Sequence, residues 1–444
     1  MAVLFAASAP APHAARGIAT LPQPYLATIG RPPTLPSLAP VKVAIVDTGV
    51  DGEHPDLADR IVGARSFGSG KALRPKNPHG TAVAGLIGAI DGNGQGIDGI
   101  APNARLLVAN VGGGDSPSSF DTDSIVHAIR WAADRHARVI NLSLAGLGPV
   151  AGYKEAVDYA LAHGALVVAA AGNCFDAHFA RCTPTGFTQA PAWLPHVLTV
   201  GATTAGGLPA GFSIPSARWV DLAAPGELVT TLWPTRNNPY FATPDCPFVG
   251  TTGCYSTGGA NSEAWGPTGT SFAAPMVSAA AAILFGADPK LLPEQVAALL
   301  VETARPVFDA RHQVGAGVLD IHAALKRVEE SSVPTADYGE PNDSSASATP
   351  LPRGSVIRAT LDWRNDASDT YRLALQRGDV LSARSCGTAR GTVSASTQGA
   401  RSFVAAPIGS TVRFVARRSG TYFLRLTPSA TGRGGYRLAI RRSR

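Results

Sequence analysis

From residue 41 to about 324 the chain alternates short apolar runs with stretches of helical spacing. Residues 41–46, 105–111, 139–144, 166–171 and 196–200 are rich in Val, Ile and Leu and lack strict alternation. That pattern predicts strands covered on both faces. Between them, residues 82–90, 123–135 and 154–162 repeat apolar positions at helical spacing, and the Ala-rich run 272–285 predicts a further helix. Strands alternating with helices predict an α/β class: a parallel sheet with helices on both faces. Ligands in such folds gather beyond the carboxyl ends of the strands. After Val328 the pattern changes. Residues 329–350 are polar and read as a linker. The short alternating segments 355–361, 370–375, 380–384, 411–416, 422–426 and 436–440 then predict a small β-sandwich. The expected plan is an N-terminal arm or processed segment (1–40), a catalytic-sized body (41–328), the linker, and a β-sandwich (351–444).

Composition alters this picture in three places. Residues 336–444 hold seventeen Arg, no Lys and seven acidic residues, whereas residues 1–335 are mildly acidic. A basic appendage suits anionic surfaces such as envelope polymers or acidic proteins, although scattered Arg also solvates outer strand faces. Nucleic acid is not expected as a partner, and no apolar run reads as long enough to span a membrane. Of the five cysteines, Cys174 and Cys182 have the same separation as Cys246 and Cys254, each pair in a stretch rich in Pro, Gly and Thr. Two local disulfides and an oxidising compartment are the simplest reading, one of three connectivities. Metal binding is disfavoured because no His stands at ligand spacing beside them. Cys386 is left over and expected to be buried. The apolar Met1–Ala9 stretch lacks a basic region before it and makes a poor signal peptide.

Chemistry concentrates in four short motifs. Asp47 stands in Val-Ala-Ile-Val-Asp-Thr-Gly, His79 in His-Gly-Thr-Ala-Val-Ala-Gly, Ser271 in Gly-Thr-Ser-Phe-Ala-Ala-Pro, and Asn173 in Ala-Ala-Ala-Gly-Asn. A serine hydroxyl is a poor nucleophile without an adjacent base. The motifs supply a serine at a helix start, a histidine opening another helix, and a carboxylate at a strand end. Each residue also has an ordinary reading: an N-cap serine, a capping histidine, a turn aspartate or asparagine. Asp51 competes with Asp47 for the carboxylate role.

Together these motifs, in this order, resemble the subtilisin-like serine proteases (subtilases, peptidase S8). The resemblance implies a subtilisin-like fold and a serine endopeptidase acting on proteins or peptides, with Asp47, His79 and Ser271 as triad and Asn173 as oxyanion donor. It also implies Ser143, Leu144, Ala145, Gly146, Ala171 and Gly172 in the primary specificity pocket, with Gly112 and Gly113 on a substrate-pairing edge. The family often has Gly where Ala145 stands and Met where Phe272 stands. No cofactor is implied for the chemistry. Asp56 matches a calcium ligand of the family, and the 91–99 loop, through Asp91 and Asn93, offers oxygens for a structural calcium. Segments 340–343 (Glu-Pro-Asn-Asp), 368–371 (Ser-Asp-Thr-Tyr) and 420–422 (Gly-Thr-Tyr) resemble the bacterial prepeptidase C-terminal (PPC) domain. The implied protein is a bacterial, secreted or envelope-located monomer. A non-catalytic binding or adhesion protein on a protease scaffold would carry a substitution at one of the four motif residues, and none is present. The paired cysteines and appended β-domain disfavour an intracellular protease. An unrelated serine hydrolase would need a separate explanation for all four motifs.

Overall fold

The computed structural model describes residues 21–443 except 95, 113–119, 145, 147–151, 175–189, 216–218, 236–253, 257–266, 309–310, 335–339, 352–355, 363–367, 398–401 and 430–432. Seven parallel strands form the main sheet: β1 (Val41–Asp47), β2 (Ile61–Ser66), β3 (Ala104–Asn110), β4 (Val139–Leu142), β5 (Leu166–Ala170), β6 (Val197–Thr203) and β7 (Leu222–Pro225). Their spatial order is β2-β3-β1-β4-β5-β6-β7. The order reverses between β1 and β4, where open α/β sheets place their ligands.

Along β1, Val43 and Ile45 enter one core and Ala44 and Val46 the other, so both faces are apolar and alternation disappears. Helices α1 (Pro24–Thr28) and α2 (His79–Gly88) pack on the first face. Helices α3 (Thr122–Asp134) and α4 (Tyr153–Ala162) cover the second, while α5 (Thr270–Ala287), α6 (Pro293–Glu302), a short α7 (Arg311–Val314) and α8 (Ile321–Glu329) follow β7. The apolar character of α5 is that of a central helix: it touches β1, β4, β5, β6 and β7. This amends one sequence expectation. Helix α5 is 18 residues long and apolar enough to cross a membrane by length and composition, yet 89% of that window is buried inside the protein.

Two strands of the main sheet escape the pattern reading. In β2 only Ile61 and Gly63 are even half-buried, because it is the sheet edge; β7 is a four-residue run of Leu, Ala and Pro. Residues 31–40 of the N-terminal arm have no regular secondary structure, but α1 docks before them: Leu21, Tyr25 and Ile29 are buried in the core, and Tyr25 Oη donates to the Thr230 carbonyl (2.9 Å).

Two further small strands, β8 (Thr231–Trp233) and β9 (Cys254–Ser256), pair with each other. The C-terminal region is a β-sandwich. One sheet has the order β10-β12-β17-β14-β15: β10 (Thr349–Pro350), β12 (Asp369–Leu375), β17 (Gly420–Pro428), β14 (Gly391–Thr397) and β15 (Val404–Pro407). The other is β11-β18-β13-β16: β11 (Val356–Asp362), β18 (Arg433–Ser443), β13 (Val380–Gly387) and β16 (Thr411–Val415). Leu381, Val393, Val412, Leu424 and Leu438 meet between them. Cys386 is exposed, against expectation: strand alternation turns Ala383 and Ser385 inward and Cys386 outward.

The stretch read as a linker is a fixed joint at its C-terminal end. Asn342 is buried, its Nδ2 donates to Asp369 Oδ1 (2.9 Å), and its Oδ1 accepts from the Thr370 N–H (2.6 Å). Asp343 faces the other way, toward His196 Nε2 (3.3 Å) and Lys154 Nζ (3.4 Å) on the main body.

Candidate active site

Asp47 ends β1 and is fully buried, a position costly for a carboxylate unless its oxygens are hydrogen-bonded. The Thr48 N–H donates to Asp47 Oδ1 (2.7 Å), as does the Thr48 hydroxyl (3.2 Å). Thr48 Oγ1 in turn accepts from the Gly80 N–H (3.1 Å), joining the strand end to the first turn of α2. A Cβ at Gly80 would lie 2.1 Å from the Gly49 carbonyl oxygen, so only glycine allows this approach. His79 opens α2, and its N–H donates to Asn77 Oδ1 (2.9 Å). Its Nδ1 donates to both oxygens of Asp47, at 2.8 and 3.0 Å. Burial pulls the His79 pKa down, but the charge of Asp47 and its hydrogen bond pull it up and prevail, leaving it above 6.5. Asp51, the rival carboxylate, is used elsewhere: its Oδ2 accepts from the N–H (2.8 Å) and hydroxyl (2.6 Å) of Thr235.

Ser271 is the second residue of α5. Pro275 sits four positions later and has no N–H, so the Ser271 carbonyl loses its helical partner. The Ser143 hydroxyl, just beyond β4, supplies the missing bond (2.8 Å). It is itself oriented by Asn141 Nδ2 (2.9 Å), whose Oδ1 accepts from Ser278 Oγ (2.8 Å) further along α5. The Ser271 hydroxyl donates back to the Ser143 carbonyl (3.1 Å). Phe272 brings its ring 5.4 Å from the His79 ring, so the start of α5 abuts the start of α2.

Asn173 lies beyond β5. Its Oδ1 accepts from the Thr270 N–H (2.9 Å) and hydroxyl (3.0 Å), and Thr270 Oγ1 accepts from the Gly172 N–H (3.1 Å). With the amide oxygen occupied, the NH2 is the end that can donate outward. A Cβ on Gly269 would meet Asn173 Nδ2 at 3.1 Å, and Gly269 has φ +156°. Sequence reasoning misses Thr48, Thr270 and the Asn141–Ser278 pair as supporting residues. The first two stand beside motif residues; Asn141 and Ser278 carry no sequence signal, because only the fold joins β4 to α5.

Among the expected substrate-side residues, Ser143 and Leu144 are buried just past β4, and Gly146 exchanges two backbone hydrogen bonds with Ala190 (3.0 and 2.8 Å). Ala171 and Gly172 lie between β5 and Asn173. The Gly112 N–H donates to Asn110 Oδ1 (3.0 Å), and its carbonyl accepts from the Ser69 N–H (2.8 Å). Ala145 and Gly113 lie outside the described residues, as do Cys182 and Cys246, on which both expected disulfides depend. Of the calcium candidates, Asn93 Nδ2 donates to Asp56 Oδ1 (2.7 Å), whereas Asp91 pairs with Arg31 (2.8 Å). A cation there would draw on Asp56 and the Asn93 side chain, with Asp91 already balanced by a guanidinium. Among the described residues no group of three or more His, Cys, Asp or Glu side chains is placed to hold a metal ion.

A strand-end carboxylate bonded to an imidazole, with a serine at a helix start, is the set of groups that a serine hydrolase uses. Residues 39–319 match the subtilase family, and the chain belongs to it. It is a serine endopeptidase with a subtilisin-like α/β fold, followed by additional C-terminal β-sheets. The chain is 34% identical to the major intracellular serine protease of Bacillus subtilis over 66% of this chain and 84% of that protein. It is 35% identical to subtilisin DY of Bacillus licheniformis, over 65% of this chain and 92% of the relative. Among solved structures it is similar to fervidolysin from Fervidobacterium pennivorans, a keratinolytic enzyme related to subtilisin. That match has a TM-score of 0.57 and 26% identity, and covers 86% of this chain and 51% of the other.

Proposed function

We propose that this endopeptidase cleaves peptide bonds through an acyl-enzyme, with Ser271 as nucleophile, His79 as general base and acid, and Asp47 orienting the imidazole. The observation that carries this reading is the double contact of His79 Nδ1 with Asp47 at 2.8 and 3.0 Å, with the Phe272 ring beside it. A proton held on Nδ1 leaves the Nε2 lone pair as the base. Ser271 Oγ rotates from the Ser143 carbonyl, attacks the scissile carbonyl carbon and gives its proton to Nε2. The Asn173 NH2 and the Ser271 N–H, at the positive end of α5, donate to the developing oxyanion. His79 then protonates the leaving amine, and a water repeats the sequence to release the acid and restore Ser271.

Protein or peptide substrates would sit along Ser143–Gly146 and Ala171–Gly172. Action as a monomer outside the cytoplasm, or in the envelope, is supported by the two cysteine pairs and the appended β-sandwich. The PPC-like identity of that sandwich rests on its short motifs. A structural calcium at Asp56 and Asn93 would raise the melting temperature on calcium addition; an identical melt in calcium and in chelator counts against it.

The test is labelling with a fluorophosphonate probe beside Ser271→Ala, followed by peptide mapping. Label on Ser271 that vanishes in the variant supports an activated nucleophile. Absence of label on folded protein would favour the non-catalytic scaffold instead.

A further inference from the structure

The outer face of the β11-β18-β13-β16 sheet carries arginines on every strand. Strand alternation points Arg358, Arg437, Arg441, Arg384 and Arg413 to solvent, and all five are exposed. Register arranges them in three successive rows. Arg358 stands directly opposite Arg437, Arg384 is opposite Ala439 in the next row, and Ser382 stands between Arg441 and Arg413 in the third. Rows lie about 7 Å apart and strands about 4.8 Å apart, so the five charges spread over a patch roughly 14 Å on each side. The other outward positions with described side chains are Val, Ala, Ser, Thr or Cys, with no Asp or Glu among them. At the far end of the sheet Asp362 and Arg433 are opposite in register, one residue of each sign. Like charges directly opposite on a sheet are destabilising. Scattered solvation would place carboxylates between them, as at Arg442, which pairs with Asp379 on the inner side.

We propose that this face docks the protein on a membrane surface of anionic phospholipid headgroups. The charge is distributed in two dimensions, one or two arginines per strand, and so complements a two-dimensional array of phosphates better than a single threaded chain. Arginine, used here to the exclusion of lysine, presents a planar fork that engages phosphate through two hydrogen bonds. The face has no aromatic side chain among its described outward positions, so it lacks the stacking platform that single-stranded nucleic acid requires. Its exposed apolar side chains among the described residues are the short Val356 and Val415, so the contact is mainly electrostatic, peripheral and salt-sensitive.

The experiment uses the full chain, inactivated by Ser271→Ala, in flotation with vesicles of phosphatidylcholine alone or mixed with phosphatidylglycerol. Binding to the mixed vesicles only, lost as salt rises, is expected. Each arginine near such a surface contributes about fivefold in partitioning. The pair Arg358→Gln/Arg437→Gln is therefore expected to bind about 25-fold more weakly, and Arg384→Gln/Arg413→Gln similarly. Arg372→Gln/Arg425→Gln, on the outer face of the opposite sheet, should leave binding unchanged. Relief of the Arg358–Arg437 opposition should keep the melting temperature of the first variant at or above that of the parent, which separates lost docking from lost folding. Equal binding to both vesicle types, or equal weakening by the opposite-face pair, overturns the proposal. So does capture by soluble long-chain polyphosphate with no vesicle binding.

Discussion

At His79 two opposing influences meet: burial favours the neutral ring, and the Asp47 charge favours the imidazolium more strongly. In the proposed mechanism the base form is the neutral one, so a raised pKa moves the acid limb of kcat/KM to a midpoint above pH 6.5, with activity falling as pH drops through it. Asp47→Asn should shift that midpoint downward while lowering kcat; a pH–rate profile checks both. In the proposed mechanism Asn173 supplies only a donor to the developing charge. Its replacement by Ala should lower kcat by about 10²–10³ with little change in KM, a magnitude transferred from subtilisin rather than obtained from this geometry. Phe272 covers His79 where a relative's methionine could oxidise, and the one methionine beyond Met1, Met276, is fully buried in α5. Turnover should therefore survive mild peroxide. Rapid loss of activity in step with sulfoxide at Met276 would contradict this. The sequence could nominate these residues because each sits inside its own short motif, with the glycine that makes room for it close by.

Elements were legible where burial left a pattern long enough to read, continuous apolar runs in the body and alternation in the sandwich. β1, β3, β4 and β5 read correctly as continuous apolar runs, and α2 and α5 as helices begun by the motif residues. β2 failed because an edge strand has only one half-covered face, and β14 because Val393 and Ala395 alone point into its core from a run of Gly, Ser and Thr. Helix α1 failed for another reason: its five residues carry no period, and its burial comes from the body it docks against. Tyr25 anchors it, 2% exposed and hydrogen-bonded to Thr230, while Arg31 bonds to the Ile100 carbonyl (3.1 Å) and Asp91. Tyr25→Ala should cost about 3 kcal/mol by emptying that space. A lower thermal midpoint of the catalytic domain would report it, and an unchanged melt would mean the arm is dispensable.

Across the whole molecule, Asp343 helps couple the two parts, with Glu340 Oε2 also 3.7 Å from His196 Nε2. Burial raises the Asp343 pKa, but the hydrogen bond and charge of His196 and the nearby Lys154 lower it further, leaving it below 3.8. A depressed carboxylate contributes stability above its ordinary value and loses it as pH falls through the lowered one. The contribution of Asp343 to the joint should therefore be lost as pH falls below the ordinary carboxylate range. Asp343→Asn should weaken the joint at neutral pH, which calorimetry would record as one transition separating into two.

The sequence by itself determined the class of fold and the family, marked a change to β-structure after the α/β body, and singled out Asp47, His79, Ser271 and Asn173 as the residues on which the proposed chemistry rests. Each of these depends on local periodicity or on a few adjacent residues. Tertiary structure alone decided that Asp47 rather than Asp51 grips His79, that Ser143 repairs the carbonyl orphaned by Pro275, that Asn342 is buried while Asp343 faces His196, and that five arginines share one face. Those outcomes depend on strand order and register, which bring together residues tens to hundreds of positions apart and leave no trace in local pattern.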